Sequence, residues 1–272
     1  MKLAVSNIAW ENSEMVDHLR LLSELGCQGV ELAPSAIWPE PVDVVSEESV
    51  RVKNLIHSFG LEITGFHSLL YTRPELQLFK DRAGLSSTVT YLKQLIRLCG
   101  EMEGKVLVFG SPRNRARNGK DNAECMSWAA EGFGEAARAA ERWGVTLCIE
   151  HLAPTETDFI MSSNEGMELV RLVDHPNFGL HLDAKAMIEA NEDFEKAFEE
   201  HGQHAKHFHV GDPGLAPPGS TGVDHAPMGR ALRRSGYDGY VSIEMRRGFG
   251  PTREVVSTSV DYVKSHYLQS VV

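Results

Sequence analysis

Eight times along its 272 residues this chain alternates a short apolar, β-branched run with a segment of helical apolar period, and no compositional break interrupts the series. Strand-like runs lie at 2–6, 29–32, 61–67, 105–109, 145–150, 179–183, 207–209 and 241–244. Helical segments lie between and after them, near 13–25, 46–57, 85–101, 122–143, 164–173, 187–200, 224–235 and 252–267. Such alternation calls for parallel strands joined by helical crossovers. Eight units predict an α/β fold of one (β/α)8 TIM barrel over residues 1–272, with its site at the C-terminal rim of the strands. An open doubly wound sheet is the competing architecture, but the first unit carries no glycine-rich dinucleotide fingerprint.

Four consecutive strand-like runs end on a potential metal ligand: Glu150, Asp183, His209 and Glu244. Their separations are 183 − 150 = 33, 209 − 183 = 26 and 244 − 209 = 35, about one per unit, so a barrel sets them side by side around half of one rim. A carboxylate closing a buried strand is costly unless a cation or another partner meets it. A helix cap or an ion pair accounts for any one of them; four together predict a single divalent-metal site. Oxygen-rich ligands with one imidazole suit Mn²⁺ or Mg²⁺, with Co²⁺ or Zn²⁺ next, and do not suit a thiolate zinc site. Alternation also turns Cys148, His181 and His207 inward, one layer below the ligands.

Other residues near strand ends are candidates for substrate contact. His67 closes the third strand, as a substrate contact or as a satisfied core histidine. Arg113 and Arg115 follow the fourth and Arg246 and Arg247 the eighth; guanidinium forks grip carboxylate or phosphate, and barrel phosphate sites often use the last two loops. A phosphorylated or acidic substrate is one reading of them, and solvated arginines beside acidic helices the other. Trp10 is placed to stack on a sugar ring or to plug the barrel mouth. Glu31 ends the second strand and is expected to pair with a neighbouring base. His225 reads as a helix-start residue, and alternation turns His151 away from the site.

A net charge of −11 argues against a general nucleic-acid binder. The four cysteines lack metal-type spacing and the N-terminus lacks a charged-then-apolar leader, which predicts reduced thiols in a cytoplasmic protein. No apolar run reaches the roughly 18 residues of a membrane span.

On these residues the chain resembles the xylose-isomerase-like barrel superfamily of sugar isomerases and epimerases. The likeness covers essentially the whole chain and is strongest from Val145 to Met245. It rests on the Glu150 strand with Glu156 behind it, on Leu182-Asp183, on His207-Phe208-His209-Val210-Gly211, and on the run from Gly236 to Glu244. Pro217-Pro218-Gly219 resembles the ketose 3-epimerases in particular. The resemblance implies that Glu150, Asp183, His209 and Glu244 hold one divalent ion and that Glu150 and Glu244 are also the acid–base pair. A bound ion would stabilise the charge of an enediolate while the carboxylates move the carbon-bound proton. It also implies a substrate contact at Glu156 and a homo-oligomeric assembly. Two positions depart from the ketose epimerases, which carry a substrate-binding histidine where this chain has Ala186 and an arginine where it has Leu215. Lys185 is a candidate replacement cation, against the plainer reading of a solvent-facing lysine that opens a helix.

The expected function is therefore metal-dependent isomerisation or epimerisation of a small sugar, sugar acid or sugar phosphate. The alternative is a dehydratase of a keto-polyol such as an inosose, in which the same enediolate expels a β-hydroxyl. A non-catalytic metal-binding barrel ranks behind both. An endonuclease IV-like nuclease ranks last, because the acidic charge and the sequence Ala184-Lys185-Ala186 after Asp183 do not fit it.

Overall fold

In the computed structural model, which describes residues 1–268, eight parallel strands close into a barrel in chain order. They are β1 (Lys2–Ser6), β2 (Gly29–Leu32), β3 (Glu62–Phe66), β4 (Val106–Phe109), β5 (Thr146–Glu150), β6 (Phe178–Asp183), β7 (Ala205–Val210) and β8 (Tyr240–Ile243). β8 pairs back onto β1, with Val241 opposite Leu3 and Ile243 opposite Val5, which rules out the open-sheet alternative. Among the described residues, no helix is long and apolar enough to cross a membrane.

The outer ring holds α1 (Met15–Glu24), α2 (Ser46–Ser58), α3 (Arg82–Glu101), α4 (Asn122–Glu141), α5 (Ser163–Val173), α6 (Ala184–Glu189), α7 (Phe194–His201), α8 (Ala226–Arg234) and α9 (Thr252–Val263). α4 shows how the sequence seats them. Asp121 caps it by accepting from the Ala123 amide, and Ala129, Phe133, Ala136, Ala137 and Ala140 form its buried stripe. Phe133 packs on Phe109 of β4 and Phe178 of β6, with ring centroids 5.1 and 5.2 Å apart. Each such pair contributes about 0.5–1.5 kcal/mol beyond its buried area.

The single helix expected over 187–200 is two. Asp183 caps α6 through the Ala186 amide, Asn191 takes a left-handed conformation (φ 50°), and Asp193 caps α7 through the Lys196 amide. Apolar periodicity runs on across the break and conceals it, but Asn tolerates the left-handed region and Asp is a strong cap. The last helix is also shorter than expected: α9 ends at Val263 and a π-helical turn covers Lys264–Leu268.

Apolar side chains fill the space between strands and helices, whereas the barrel interior carries Glu31, His181, His207, His209 and Ser242, all buried. Barrel interiors are more often filled by branched aliphatics, so these polar groups need partners inside the barrel. The four cysteines are free and buried. Burial pushes the Cys27 thiol up to about 12, against the pull of Lys264, and raises the Cys99 and Cys148 thiols further. They behave as core side chains, not nucleophiles.

The loop after β7 is organised by buried Asp212. Its carboxylate accepts from the Gly219 amide (2.9 Å), the Thr221 amide (2.8 Å) and hydroxyl (2.7 Å), and His225 Nε2 (2.7 Å). His225, the N-cap residue of α8, has its Nδ1 2.6 Å from the Tyr267 hydroxyl. Burial pushes the Asp212 carboxyl up, but His225 and the Thr221 and Gly219 donors outweigh it and hold it below the usual range. A depressed carboxylate stabilises the fold above its unfolded value of about 3.9, and that stability is lost as pH falls through the folded value. Asp212→Asn is therefore expected to cost about 2–3 kcal/mol at neutral pH and to flatten the acid side of the stability profile. Urea midpoints between about pH 7 and pH 3 measure this, and parallel profiles for variant and wild type would reject it.

Candidate metal centre

The ends of β5 to β8 bring the metal-ligand candidates to one place. A period of two turns Cys148 and Glu150 inward on β5, His181 and Asp183 on β6, and His207 and His209 on β7. Register pairs Glu150 with His181, Asp183 with His209, and His209 with Ser242. His181 is thus level with Glu150 and not one layer beneath it. Alternation fixes depth only along one strand, and the stagger between strands sets the rest.

Glu150, His181, Asp183 and His209 each offer one donor atom, and these atoms all lie within 4.8 Å of one another. Glu244 stands beside this group, with Oε2 3.4 Å from His209 Nδ1; Asp183 Oδ2 lies 3.8 Å from the same nitrogen. Glu150, Asp183 and His209 are buried, while the Glu244 side chain keeps 13% of its surface exposed. The structure therefore brings three of the four strand-end candidates into one donor cluster with His181, and sets Glu244 beside it.

Glu31 supports this group from below. Its carboxylate lies 3.1 Å from His207 Nε2, 3.0 Å from His209 Nε2 and 2.5 Å from the Ser242 hydroxyl, so it pairs with neighbouring bases as expected. Burial pushes the Glu31 carboxyl up, but His209 and His207 outweigh it and hold it well below the usual carboxylate range. An ionised carboxylate has no proton to give, so both Nε2 atoms donate to it. The second nitrogen of His209 is left facing the cluster, buried and without a hydrogen-bond partner among the described residues. A carboxylate that orients a metal-binding imidazole through its other nitrogen is a recurring device.

The charges also fit a cation. Burial, with Asp183 and Glu244 beside it, pushes the Glu150 carboxyl well above its ordinary range. For Glu244, burial pushes up, but His209 and His67 outweigh it and hold the carboxyl low. For His209, burial pushes down, but Glu31 and Glu244 outweigh it and raise the imidazole. Three carboxylates converging on one buried, unpartnered imidazole nitrogen form a donor set that a divalent ion satisfies.

Three further residues support the group: His67, read from the sequence as a substrate contact or a core histidine, Arg115, read as one of the rim arginines, and Gly110, which had no reading. His67 Nδ1 lies 2.8 Å from Glu244 Oε1, and its Nε2 lies 2.5 Å from the Ser6 hydroxyl. His67 is therefore fully engaged inside the protein, and it braces Glu244. Arg115 is completely buried and donates from Nη1 to the Glu150 carbonyl at 2.5 Å. Burial pushes its guanidinium down to about 10, although Glu150, Glu156 and Glu165 pull it up. Gly110, directly after β4, lies so close that a Cβ would meet Glu150 Oε2 at 2.1 Å. Gly110→Ala is expected to turn the Glu150 carboxylate aside and weaken metal binding by about 10–100-fold, the loss typical of a disturbed ligand support. Calorimetric Mn²⁺ titration measures it, and wild-type affinity would show that the carboxylate does not matter in this position.

The rim residues divide. Lys185 is not solvent-facing: it is buried, with Nζ 2.6 Å from Glu156 and 3.3 Å from Glu189. Burial pushes its ammonium down, but Asp183, Glu156 and Glu189 outweigh it and raise it. Trp10 is 1% exposed, with one ring face stacked on His18 at 4.9 Å, so it presents no open face to a sugar. Arg113 is exposed and lines a cavity of about 230 Å³ with Ser68, Tyr71 and Ser111. Ser68 and Ser111 are both left-handed (φ 52° and 42°), a strain that recurs at binding sites. Arg246 is exposed, donates to the Gly214 carbonyl at 3.2 Å and stacks on Phe249. His151 faces Glu192 at 3.3 Å, away from the cluster.

Comparison with known proteins places this geometry. The chain is 25% identical over 250 residues to the D-psicose 3-epimerase of Ruminiclostridium cellulolyticum, an alignment covering 90% of this chain and 83% of the relative. It is 24% identical to the fructoselysine 3-epimerase of Shigella flexneri, over 85% of each chain. The solved D-psicose 3-epimerase with D-tagatose from Clostridium cellulolyticum superposes with a TM-score of 0.83 at 19% identity, over 98% of this chain and 99% of that one. The family model for the xylose isomerase-like TIM barrel matches residues 19–266, and the chain belongs to that family.

Proposed function

We propose that this protein is a divalent-metal-dependent isomerase or epimerase that acts on a small sugar, sugar acid or sugar phosphate by proton transfer through an enediolate. One observation carries the reading. Glu150 and Glu244 stand at the first and last strand ends of an arc that has the buried Asp183 and His209 between them, so two carboxylates flank one cluster of candidate metal donors. Two carboxylates so placed can serve in turn as base and acid. The 3-epimerase names of the sequence relatives support the same class.

Glu150, Asp183, His209 and Glu244 would hold the ion, with Mn²⁺ or Mg²⁺ suited to so many oxygen donors. When bound, a divalent ion supplies electrostatic stabilisation of the charge that develops on a substrate oxygen. One of Glu150 and Glu244, the latter braced by His67, takes a carbon-bound proton. The other returns one, to the opposite face for epimerisation, or a proton is returned to the neighbouring carbon for isomerisation. The Lys185–Glu156 pair offers a cation and an acceptor to substrate hydroxyls. Arg113, beside the strained serines, suits an anionic far end. Ala186 and Leu215 bring neither imidazole nor guanidinium, which supports a substrate other than the ketoses themselves.

The test is incubation of the Mn²⁺-loaded protein in D₂O with a panel of neutral sugars, sugar acids and sugar phosphates. Metal-dependent deuterium incorporation at carbon is expected. Anionic members should be preferred by about tenfold or more, as expected for one charge-assisted bidentate contact, and Arg113→Gln should remove that preference. Loss of water from the substrate would identify the dehydratase instead. A panel without exchange, while Glu150→Gln binds the same compounds as wild type, would reduce the protein to a binding barrel.

A further inference from the structure

We infer that His181 is an additional ligand of the divalent ion, so that the site presents two imidazole nitrogens and not one. The inference rests on the metal reading above and extends it to a residue outside the four strand-end ligands. His181 is completely buried, and neither of its ring nitrogens has a hydrogen-bond partner among the described residues. That is a rare condition, because buried polar atoms in folded proteins almost always find one. Glu31 engages one nitrogen each of His207 and His209, and Ser6 and Glu244 engage His67; His151 also lacks a hydrogen-bond partner among the described residues, but its Nε2 stands 3.3 Å from Glu192 and it is not in the cluster of converging donors.

Position supplies the second argument. Register sets His181 directly beside Glu150, with Nε2 3.8 Å from Glu150 Oε1. Its ring centroid lies 4.1 Å from that of His209, edge to face, so the two imidazoles do not stack over each other's nitrogens. One donor atom of His181 lies within 4.8 Å of donors from Glu150, Asp183 and His209. Donors bonded to one ion at about 2.1 Å stand roughly 3–4.2 Å apart, so a small contraction brings this set to ligand spacing. A second nitrogen also changes which ion the site prefers. Imidazole favours later transition metals, whereas Mg²⁺ takes oxygen almost exclusively.

The experiment uses the full chain loaded with Mn²⁺ alone and counts coordinated nitrogens by pulsed electron paramagnetic resonance, with natural-abundance and ¹⁵N-histidine protein. Two inequivalent imidazole nitrogens are expected in the wild type and one in His181→Leu. Competition titrations should show Co²⁺ preferred over Mg²⁺, with that preference falling by about tenfold or more in the variant, as loss of one nitrogen donor implies. One nitrogen in the wild-type spectrum, or an unchanged Co²⁺/Mg²⁺ ratio in the variant, overturns the role of His181 and leaves the four-ligand site standing. Absence of bound Mn²⁺ overturns both. The wild-type spectrum decides the matter even where His181→Leu does not fold.

Discussion

Replacing Glu244 by glutamine is expected to lower substrate interconversion by about 10³-fold, within the range a positioned general base contributes. Gln keeps the shape of the side chain and a carbonyl oxygen for His67 but cannot take a proton. Glu150→Gln should be as damaging, and the pair is more informative than either variant alone. In a two-base epimerase each carboxylate serves one face of the carbon. Each variant should then exchange deuterium into one epimer faster than it interconverts the two, and the favoured epimer should switch between Glu150→Gln and Glu244→Gln. Proton NMR in D₂O follows both rates in one sample. Turnover of Glu244→Gln within tenfold of wild type would remove Glu244 from proton transfer.

The second large effect is expected at a residue that touches neither proton nor substrate. Glu31 accepts from His207, His209 and Ser242 inside the barrel. Glu31→Gln loses the charge and leaves at least one of these donors facing an amide. Breaking a buried, hydrogen-bonded charge cluster typically costs about 3–5 kcal/mol, which at this chain length lowers Tm by roughly 10 °C. The same change frees the His209 ring to turn or to switch tautomer, so Mn²⁺ affinity should fall by about 10–100-fold. Thermal denaturation of the metal-free protein separates the two effects, since it registers the stability term alone. A metal-free Tm within about 2 °C of wild type, less than one kcal/mol at this size, would show that Glu31 is dispensable to the fold.

The barrel and its ligand arc were legible because both rest on short-range regularities. Strand alternation repeats every two residues, and a ligand closing each of four successive strands needs no knowledge of loops. Legibility ended where partners are distant in sequence. Glu31 could be expected to pair with a base, but its partners lie 176 to 211 residues away. His67 looked like a rim contact or a core histidine and is a brace on Glu244, a contact across 177 residues. Lys185 opens a helix, where lysines are usually solvated, yet Glu156 and Glu189 enclose it. The split between α6 and α7 lay in the sequence as Asn191 and Asp193, hidden beneath a continuous apolar period. Arg115 carries no local sign of its role, since its target is a main-chain carbonyl on the next strand. Gly110 does carry one, a glycine just past a strand end, but what it accommodates is visible only in space.

Asp183 divides its two oxygens between different tasks: Oδ1 accepts from the Ala186 amide that starts α6, and Oδ2 points toward His209. The carboxylate torsion is therefore frozen by the chain before any ion arrives, and the loss of rotational freedom belongs to folding instead of binding. The first turn of α6 carries Lys185, so the Lys185–Glu156 pair is in place by the same stroke. On the proposed function, a substrate contact at this pair would not wait for the cation. Either component could then bind first, with the order of addition set by concentration.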